Sequence, residues 1–457
     1  MFFIVFSVLV VCFWSCVGWW LVVWISQIGA IAVIMGSFDA IAVSIDVEGG
    51  LFCCDEVSFC LIWLTLLVGG LSLLGSVMIL EEKNSEVLFV SCVAGLMVVL
   101  ILCFASDSLL MFYVFFESSL IPIFFIICGW GYQPERLSAG KYMVLYTVCA
   151  SLPLLMVLFF VFLTSGSVSL LLLSSGDAVI GPVMFLAMIL AFLVKAPIYG
   201  VHVWLPKAHV EAPVGGSMLL AGVLLKLGGY GLMRFMSLIG FSGGLGFTGV
   251  ICLSIFGGFV ASVVCCVQVD AKSLVAFSSV GHMGLVLVGL IFGNYWSLGG
   301  SVLLMVAHGL SSCGMFFLTG ELYKQYSSRM LFVMRGGIGS FWGINIWFVV
   351  MCGFNAAAPP SLNLLSEVIL CISAMSWCLW LVILLGGLGF LSCVYSWSFY
   401  CVTQVGQYPA WGRPYCGVSQ VYMCGVVCSV IAILLTGLCL CCWYAKFFYL
   451  MLIFLKE

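Results

Sequence analysis

The chain has 457 residues, of which 65% are hydrophobic and only 7% are charged, and its formal net charge at pH 7 is −3. Soluble domains carry about a quarter charged residues, so this chain could not cover its surface with polar groups in water. Its mean hydropathy of +1.33 predicts that most of the chain lies in a membrane. Because cations are few and form no basic patch, a nucleic-acid partner is not expected.

Apolar runs long enough to span a membrane, which takes about 20 residues, follow one another along the chain. The candidates are 57–79, 87–106, 108–129, 142–164, 179–205, 214–237, 246–267, 273–293, 297–319, 339–377, 379–403 and 418–444. The run 339–377 is too long for one span, and NAAAPPSLN divides it. Residues 1–50 are predicted to hold two more spans. Their first residues lack the basic leader and cleavage site of a targeting peptide, so they are interpreted as the first of these spans. The sequence therefore predicts an all-α polytopic membrane protein of about 13–14 transmembrane helices.

Basic residues occur in alternate turns between these spans. They are Lys83, then Arg136 and Lys141, Lys207, Lys272, then Lys324, Arg329 and Arg335, and finally Arg413. The intervening turns hold Asp107, Asp177 and the segment GNYW at 293–296, without lysine or arginine. This alternation is what the positive-inside rule predicts for correctly counted spans, and Arg234 is the exception.

The 24 cysteines mostly lie inside apolar runs such as SVVCCVQVD, where cysteine serves as a small hydrophobic residue. Cys439 and Cys442 form a C-x-x-C motif, but no second pair and no histidines stand at ligand spacing. No metal site is predicted.

Six ionisable residues fall inside predicted spans, where a charge costs roughly 2.5–3.5 kcal/mol at the bilayer centre. They are Glu117, Lys195, Lys226, His282, His308 and Glu367. Burial disfavours the charged form of acids and bases alike, so a buried Glu–Lys pair can act as a switch. The lysine holds its proton while the carboxylate is close and releases it when the carboxylate moves away. The pattern favours a proton relay, and the alternative is a set of ion pairs that hold helices together.

Prolines interrupt two spans beside an ionisable residue. Pro197 follows Lys195, and Pro359 and Pro360 precede Glu367. Broken helices at membrane depth occur where the freed backbone is buried in protein or lines water, and paired ones are typical of inverted-repeat transporters. An inert kink is the alternative at each site. The chain has no G-x-x-x-x-G-K-[ST] motif and no G-x-G-x-x-G after a strand, so the energy for transport is expected from a partner.

Five segments within roughly residues 105–370 closely resemble a known family. They are GWGYQPERLSAGKYMVLYT, KAPIYGVHVWLPKAHVEAPVGGSMLLAGVLLKLGGYGLMR, DAKSLVAFSSVGHM, HGLSSCGMFFLTGELY and PPSLNLLSEV. They are similar to the subunit 4 family of mitochondrial NADH:ubiquinone oxidoreductase, respiratory complex I. The resemblance implies an antiporter-like, proton-translocating subunit of the membrane arm, built from two inverted five-helix repeats, in the mitochondrial inner membrane.

The resemblance also implies roles for the buried ionisable residues. Glu117 and Lys195 match the switch of the first half-channel, Lys226 the central relay lysine, His282 and His308 the continuing axis, and Glu367 the terminal carboxylate. Four nearby residues are candidates for a channel mouth at the positively charged face, which would be the matrix face in a mitochondrion: His202, Lys207, His209 and Glu211. The implied division is 1–80 for N-terminal helices, 81–238 and 239–405 for the two antiporter-like halves, and 406–457 for a C-terminal helix and tail.

Partners and cofactors follow from the same resemblance. The chain is expected to bind no cofactor and to perform no redox chemistry itself, while NADH, flavin, iron–sulfur clusters and ubiquinone are expected on partner subunits. Other membrane-arm subunits, including neighbouring antiporter-like ones, and membrane lipids are the expected contacts. Two alternative functions remain: a stand-alone cation/proton antiporter of the related multi-subunit type, and a structural membrane scaffold whose buried charges are ion pairs.

Overall fold

The structure, a computed structural model, describes residues 18–40, 52–166, 169, 182–239, 245–337, 342–407 and 427–437, and the regular secondary structure in these ranges is helical. The helices are α1 (Trp19–Ala40), α2 (Glu56–Gly75), α3 (Val77–Glu81), α4 (Glu86–Ala105), α5 (Leu109–Ser118), α6 (Leu120–Trp130), α7 (Arg136–Ser165), α8 (Pro182–Lys195), α9 (Trp204–Glu211), α10 (Val214–Leu219), α11 (Leu225–Ile239), α12 (Leu245–Val267), α13 (Ala271–Phe292), α14 (Tyr295–Tyr326), α15 (Trp342–Asn355), α16 (Leu362–Met375), α17 (Leu379–Gln404) and α18 (Val427–Gly437). A π-helical segment, Leu220–Leu224, joins α10 to α11.

The helices divide into an inner and an outer group. Within the described ranges, nine spans are long and apolar enough to cross a membrane by length and composition. Of these, α13, α14 and the span formed by α10 and α11 are almost wholly buried, whereas α7 and α17 expose most of their surface. The exposed face of α7 is apolar and includes Leu145, Met156 and Leu163. Such a surface is suited to lipid or to neighbouring membrane subunits rather than to water.

The first interrupted span consists of α8 and α9. The α8 helix ends at Lys195, and the chain runs through turns that contain Pro197 until α9 begins at Trp204. Proline has no backbone N–H to continue the helical ladder, and it disfavours the helical conformation in the residue before it. The predicted helix 179–205 therefore ends earlier than its hydropathy indicates.

The second interrupted span consists of α15 and α16, which are separated by Pro359 and Pro360. Ser361 then caps the new helix, because its hydroxyl accepts a hydrogen bond from the Leu364 backbone N–H at 3.3 Å. Capping of this kind satisfies one of the free N–H groups at a helix start. The fold class predicted from the sequence, including two proline-broken helices, is confirmed.

The order of spans repeats along the chain. The first set is α4, α5 with α6, α7, α8 with α9, and α10 with α11; the second is α12, α13, α14, α15 with α16, and α17. In both sets the fourth member is the one that proline interrupts. Because each set has an odd number of spans, the second begins at the opposite membrane face from the first, as in inverted repeats.

Another predicted span, 108–129, is interrupted at Ser119, between α5 and α6. The Ser119 hydroxyl donates to the Phe116 carbonyl at 2.7 Å. Serine side chains compete in this way with the backbone ladder of a helix. Hydropathy cannot show such a break, because one serine barely changes the mean over a span.

Some predictions fall outside the described residues. They include the first part of the span pair in 1–50, the ends of 418–444, the turn residue Asp177, and the cysteine pair at 439 and 442.

Arg234, the exception to the alternation of charges, is explained by its partners. It forms an ion pair with Asp55, and its Nε donates to the Tyr230 hydroxyl at 3.0 Å. The positive-inside rule concerns cations in loops, whereas this guanidinium is held by groups of the bundle.

Candidate functional site

Lys195 lies where α8 stops, and only 3% of the residue is exposed. Its Nζ donates to the Phe116 carbonyl at 2.8 Å and to the Ser119 hydroxyl at 3.3 Å, and it lies 3.4 Å from the centroid of the Phe116 ring. A charged lysine at this depth costs roughly 2.5–3.5 kcal/mol. A charge-assisted hydrogen bond of about 1.5–3 kcal/mol and a desolvated cation–π contact of about 2 kcal/mol offset that cost. The site can therefore hold a protonated lysine.

Glu117 follows Phe116 on α5 and is half-buried. It is within electrostatic reach of Lys195, yet no Glu117–Lys195 ion pair within 4.0 Å is found in the part of the chain that the structure describes. Its Oε1 atom is buried and has no hydrogen-bond partner among the same residues. The two members of the predicted pair are thus neighbours, and the lysine binds the interrupted helix instead of the carboxylate.

Close backbone contact places α11 against the break that follows Lys195. A Cβ at Gly228 would lie 2.6 Å from the Ala196 backbone nitrogen, which no larger residue could accommodate without a shift of the backbone. Glycine lets two backbones approach in this way. The contact brings the helix that carries Lys226 next to the helix that carries Lys195.

Lys226 is fully buried at the start of α11, directly after the π-helical segment. Its Nζ donates to the Ala221 carbonyl at 2.6 Å and lies 3.0 Å from Nδ1 of His308. Single π-helical turns are rare in proteins and often occur at functional sites. Here the segment supplies a carbonyl to the lysine while α14 supplies the histidine.

His308 is fully buried on α14. When Lys226 is protonated, Nδ1 of His308 must accept its hydrogen bond, which assigns the ring hydrogen to Nε2. That Nε2 atom is buried and has no hydrogen-bond partner among the described residues. The His308 ring lies 5.4 Å, centroid to centroid, from the ring of His282. A proton accepted at Nδ1 can thus leave from the opposite side of the ring.

His282 contacts polar side chains through both ring nitrogens. Its Nδ1 lies 3.5 Å from Oε1 of Glu367, and its Nε2 lies 3.3 Å from the Tyr395 hydroxyl. Imidazole nitrogens can each carry or accept a proton, so this ring can pass a proton toward the carboxylate. The structure brings together Lys226, His308, His282 and Glu367 in one continuous group, which we term the buried axis.

Burial varies along the predicted proton carriers. Lys195, Lys226, His282 and His308 are at most 3% exposed, whereas Glu117 and Glu367 are only partly buried. The carboxylates are therefore more accessible than the bases that they face.

The four candidate mouth residues separate into two groups. His209 is fully buried, its ring stacks on Phe316 at 4.6 Å, and neither ring nitrogen has a hydrogen-bond partner among the described residues. His209 is within electrostatic reach of Lys272 and of Lys226. Glu211 lies at the end of the same short helix and faces Arg329, with Nη1 3.3 Å from Oε1.

The other two residues contact the outer part of the bundle. His202 accepts a hydrogen bond from the Gly200 backbone at 3.2 Å and stacks on Tyr199. Lys207 is exposed, and its Nζ lies 3.7 Å from the centroid of the Tyr142 ring. Both contacts shape the region around the helix break.

Lys272 and Arg329 are site residues that sequence reasoning missed. Lys272 was expected in a turn, but it is 2% exposed and donates to the Ala212 carbonyl at 2.8 Å. Arg329 donates to the Val210 carbonyl at 2.8 Å. Both cations therefore hold the carbonyl end of α9, where the helix dipole favours positive charge. The sequence carries no distinguishing signal for either, because a cation that flanks an apolar run resembles an ordinary loop charge.

Tyr395 was also missed. It contacts His282 from α17, but an aromatic residue in an apolar span carries no signal of its own in the sequence. Among the described residues, no group of three or more His, Cys, Asp or Glu side chains is placed to hold a metal ion.

Comparison with known proteins identifies the family. Residues 1–103 match the family described as NADH-ubiquinone oxidoreductase chain 4, amino terminus, and residues 106–392 match the family NADH:quinone oxidoreductase/Mrp antiporter, TM. The chain is 45% identical over 354 residues to NADH-ubiquinone oxidoreductase chain 4 of Ceratitis capitata, covering 77% of this chain and 79% of that one. The chain belongs to the NADH-ubiquinone oxidoreductase chain 4 family. The family suggested by the sequence motifs is confirmed.

Solved structures of two assemblies share the fold of this chain 4 family member. A chain of respiratory complex I from Thermus thermophilus with bound NADH superposes with a TM-score of 0.81 at 22% identity, covering 95% of both chains. A chain of the Mrp complex from Dietzia sp. DQ12-45-1b superposes with a TM-score of 0.82 at 14% identity, covering 94% of this chain and 92% of that one. The fold is therefore shared by both assemblies, while sequence identity places the chain in the chain 4 family.

Proposed function

We propose that this chain is a proton-translocating subunit in the membrane arm of NADH:ubiquinone oxidoreductase, spanning the mitochondrial inner membrane many times. The observation that carries the proposal is the buried axis, in which Lys226, His308, His282 and Glu367 follow one another at contact distance or as adjacent rings. Positioned bases and acids pass protons over hydrogen-bond distances or through one water. Membership of the chain 4 family supports the assignment to this enzyme.

The division of labour with partner subunits follows from the same proposal. NADH, flavin, iron–sulfur clusters and ubiquinone belong to other subunits, whose electron transfer supplies the energy. This chain moves protons and does no redox chemistry. Glu117 and Glu367, which are only partly buried, are the groups through which neighbouring antiporter-like subunits would exert their influence.

The proton path in this proposal begins with Glu117 and Lys195 and continues through Lys226. Movement of the Glu117 carboxylate toward or away from Lys195 alters how firmly the lysine holds its proton, as expected for neighbouring opposite charges. Residues 81–238 form the first antiporter-like half and 239–405 the second, with 1–80 and 406–457 as flanking helices. Each half contributes one of the interrupted spans.

A channel mouth at the positively charged face is proposed at His209 and Glu211, with His202 and Lys207 bordering it. His209 lies within electrostatic reach of both Lys272 and Lys226, so it stands between Lys272 and the buried axis. Its ring nitrogens make no hydrogen bond among the described residues, which leaves them available to a proton carrier.

The second candidate is a stand-alone cation/proton antiporter, favoured by the fold shared with the Mrp complex. Gentle solubilisation of native membranes, separation on a native gel and peptide mass spectrometry separate the two. Recovery in a very large band that oxidises NADH supports the complex I assignment. Recovery in a smaller assembly without NADH oxidation would contradict it and favour the antiporter.

A further inference from the structure

Six aromatic side chains form a continuous cluster between Lys195 and one membrane face, and we term them the aromatic cluster: Phe104, Phe112, Phe116, Phe192, Tyr230 and Phe235. Each is at most 3% exposed. Phe112 occupies the middle, with ring centroids 5.7 Å from Phe116, 6.2 Å from Phe192 and 6.1 Å from both Tyr230 and Phe235. The rings come from four different helices, so they fill the space where these helices meet.

The inner end of the aromatic cluster is Lys195. Its Nζ lies over the Phe116 ring and bonds the carbonyl of the same residue. On this side the first ring of the cluster is thus in direct contact with the proposed proton carrier.

The outer end of the aromatic cluster is a group of charged residues. The Tyr230 hydroxyl donates to the Phe104 carbonyl at 2.9 Å and accepts from Arg234, which is paired with the half-exposed Asp55. Asp107 is within electrostatic reach of Arg234 and Asp55, and partial burial raises the pKa of its carboxyl above the ordinary value. These residues stand at the face opposite the positively charged turns, where water has access.

The phenylalanine rings offer no group that can accept a proton. Their centroids lie 4.9–6.2 Å apart, so the rings are in contact and leave little room for the water that could carry one. A void must offer about 10–15 Å³ and polar partners before it holds a water molecule. Arg234 is held at the outer end by Asp55 and by the Tyr230 hydroxyl, which ties its side chain to the border of the cluster. Cys103, whose Sγ lies 3.8 Å from the Phe112 carbonyl, fills space beside the rings.

We propose that the aromatic cluster is a proton-tight seal, which closes Lys195 off from the face marked by Asp55, Asp107 and Arg234. A proton on Lys195 can then pass along the proposed path, between Glu117 and Lys226, but not to that face. The inference rests on the proposed role of Lys195 as a proton carrier. It adds the reason why protons do not leak back across the membrane through that lysine. A seal of this kind has to withstand the full proton gradient in every state of the enzyme.

The test is passive proton leak through the intact complex. The variant Phe112→Ser is introduced at this position in a genetically tractable host, and the purified complex is reconstituted into vesicles with quinone reduction inhibited. A pH gradient is imposed and its decay is followed with an internal dye. We expect decay to be severalfold faster than with the unaltered complex, because loss of the central ring leaves room for water inside the aromatic cluster.

Two controls separate a seal from ordinary core packing. Phe348→Ser opens a similar cavity at a fully buried phenylalanine of α15, outside the aromatic cluster, and is expected to leave the leak unchanged. Phe112→Ser combined with Lys195→Met is expected to return the leak to the starting rate. Equal leak in the Phe112→Ser and unaltered complexes, equal leak in both phenylalanine variants, or persistence of the leak without Lys195 would overturn the proposal.

If Phe112→Ser prevents assembly, Phe112→Leu and Phe235→Leu keep the core apolar while removing a ring, and each is expected to leak more than the unaltered complex. No increase in either would overturn the seal. Pumping during NADH oxidation is measured separately with Lys195→Met alone. Unchanged pumping there contradicts the proposed function, whereas an unchanged leak contradicts only the seal.

Discussion

The two halves of the bundle hold their buried ionisable groups in different ways. In the first half, Lys195 binds the backbone of an interrupted helix and lies beside Glu117 without an ion pair in the described structure. In the second half, His308, His282 and Glu367 face one another directly through their side chains. A run of facing side chains can pass a proton with little rearrangement, whereas Lys195 must first leave a carbonyl. The first half is therefore the better place for control and the second for conduction.

The interrupted spans show the same contrast. Lys195 stands on the segment before its break, and Glu367 stands on the segment after its break. In inverted repeats, corresponding helices run in opposite directions, so the segment before one break and the segment after the other lie toward the same membrane face. One base and one acid are thus supplied to the same side of the bundle by non-equivalent segments.

The largest effect is expected from Lys226→Met, which breaks the junction between the halves. A positioned proton carrier contributes about a hundredfold or more to a transfer rate, and methionine cannot carry a proton. Proton translocation through this subunit should be lost, as measured by the pH change in vesicles during NADH oxidation. Lys141→Met, at an exposed lysine of α7, is the matched control and should pump normally. Unchanged pumping in Lys226→Met at normal assembly would favour a structural scaffold.

A smaller loss of proton pumping is expected from Glu367→Gln, at the end of the buried axis in the second half. The amide keeps the shape of the side chain but removes the carboxylate that faces His282 and that can take up its proton. We expect the pumping rate to fall roughly tenfold, which is less than the loss of a carrier inside the axis. Glu135→Gln, at an exposed loop carboxylate, provides the comparison. If the two variants pump equally well in the vesicle assay, Glu367 has no part in conduction.

The proposed control by the first half is tested with the variant Glu117→Gln, for which Asp107→Asn is the control variant. We expect Glu117→Gln to impair pumping more than Asp107→Asn and less than Glu367→Gln, because Glu117 acts on Lys195 without holding it. Proton translocation is compared at equal amounts of assembled complex. Equal losses in the two variants would indicate a defect of assembly and would contradict a switching role for Glu117.

The smallest effect is expected from Tyr395→Phe, which removes one hydrogen-bond partner of His282. Such a bond is worth about 0.5–1 kcal/mol net, or roughly two- to fivefold in rate. Tyr400→Phe on the same helix removes a hydroxyl that bonds Asn345 instead, and it should leave the pumping rate unaltered. A larger effect at Tyr400 than at Tyr395 would place the sensitive contact outside the buried axis.

Much of the fold was predictable because hydropathy and proline are local signals. The apolar runs mark the spans, and Pro197, Pro359 and Pro360 mark where helices must break. The interruption at Ser119 was not predictable, since it depends on a hydroxyl bonding its own helix and on Lys195 approaching from another. A contact between residues that are distant in sequence does not change the hydropathy averaged over a window.

The candidate site was predictable in part, because a charged side chain in lipid has a high free energy and therefore stands out in an apolar span. Lys226, His282 and His308 stand out in apolar spans for that reason alone. Lys272 was missed because a lysine at the start of a span looks like a loop charge, and only the packed structure shows it under α9. The aromatic cluster was invisible for the opposite reason, because phenylalanine is ordinary in a membrane helix.

The central claim is that protons pass from Lys226 to His282 through His308, and His308→Gln tests it most directly. Glutamine can still accept the hydrogen bond of Lys226, but it cannot take up and release a proton near neutral pH. The ratio of protons translocated to NADH oxidised is measured in vesicles that hold equal amounts of assembled complex. The account predicts a lower ratio in His308→Gln than in the unaltered complex. An unchanged ratio would contradict a path through this histidine.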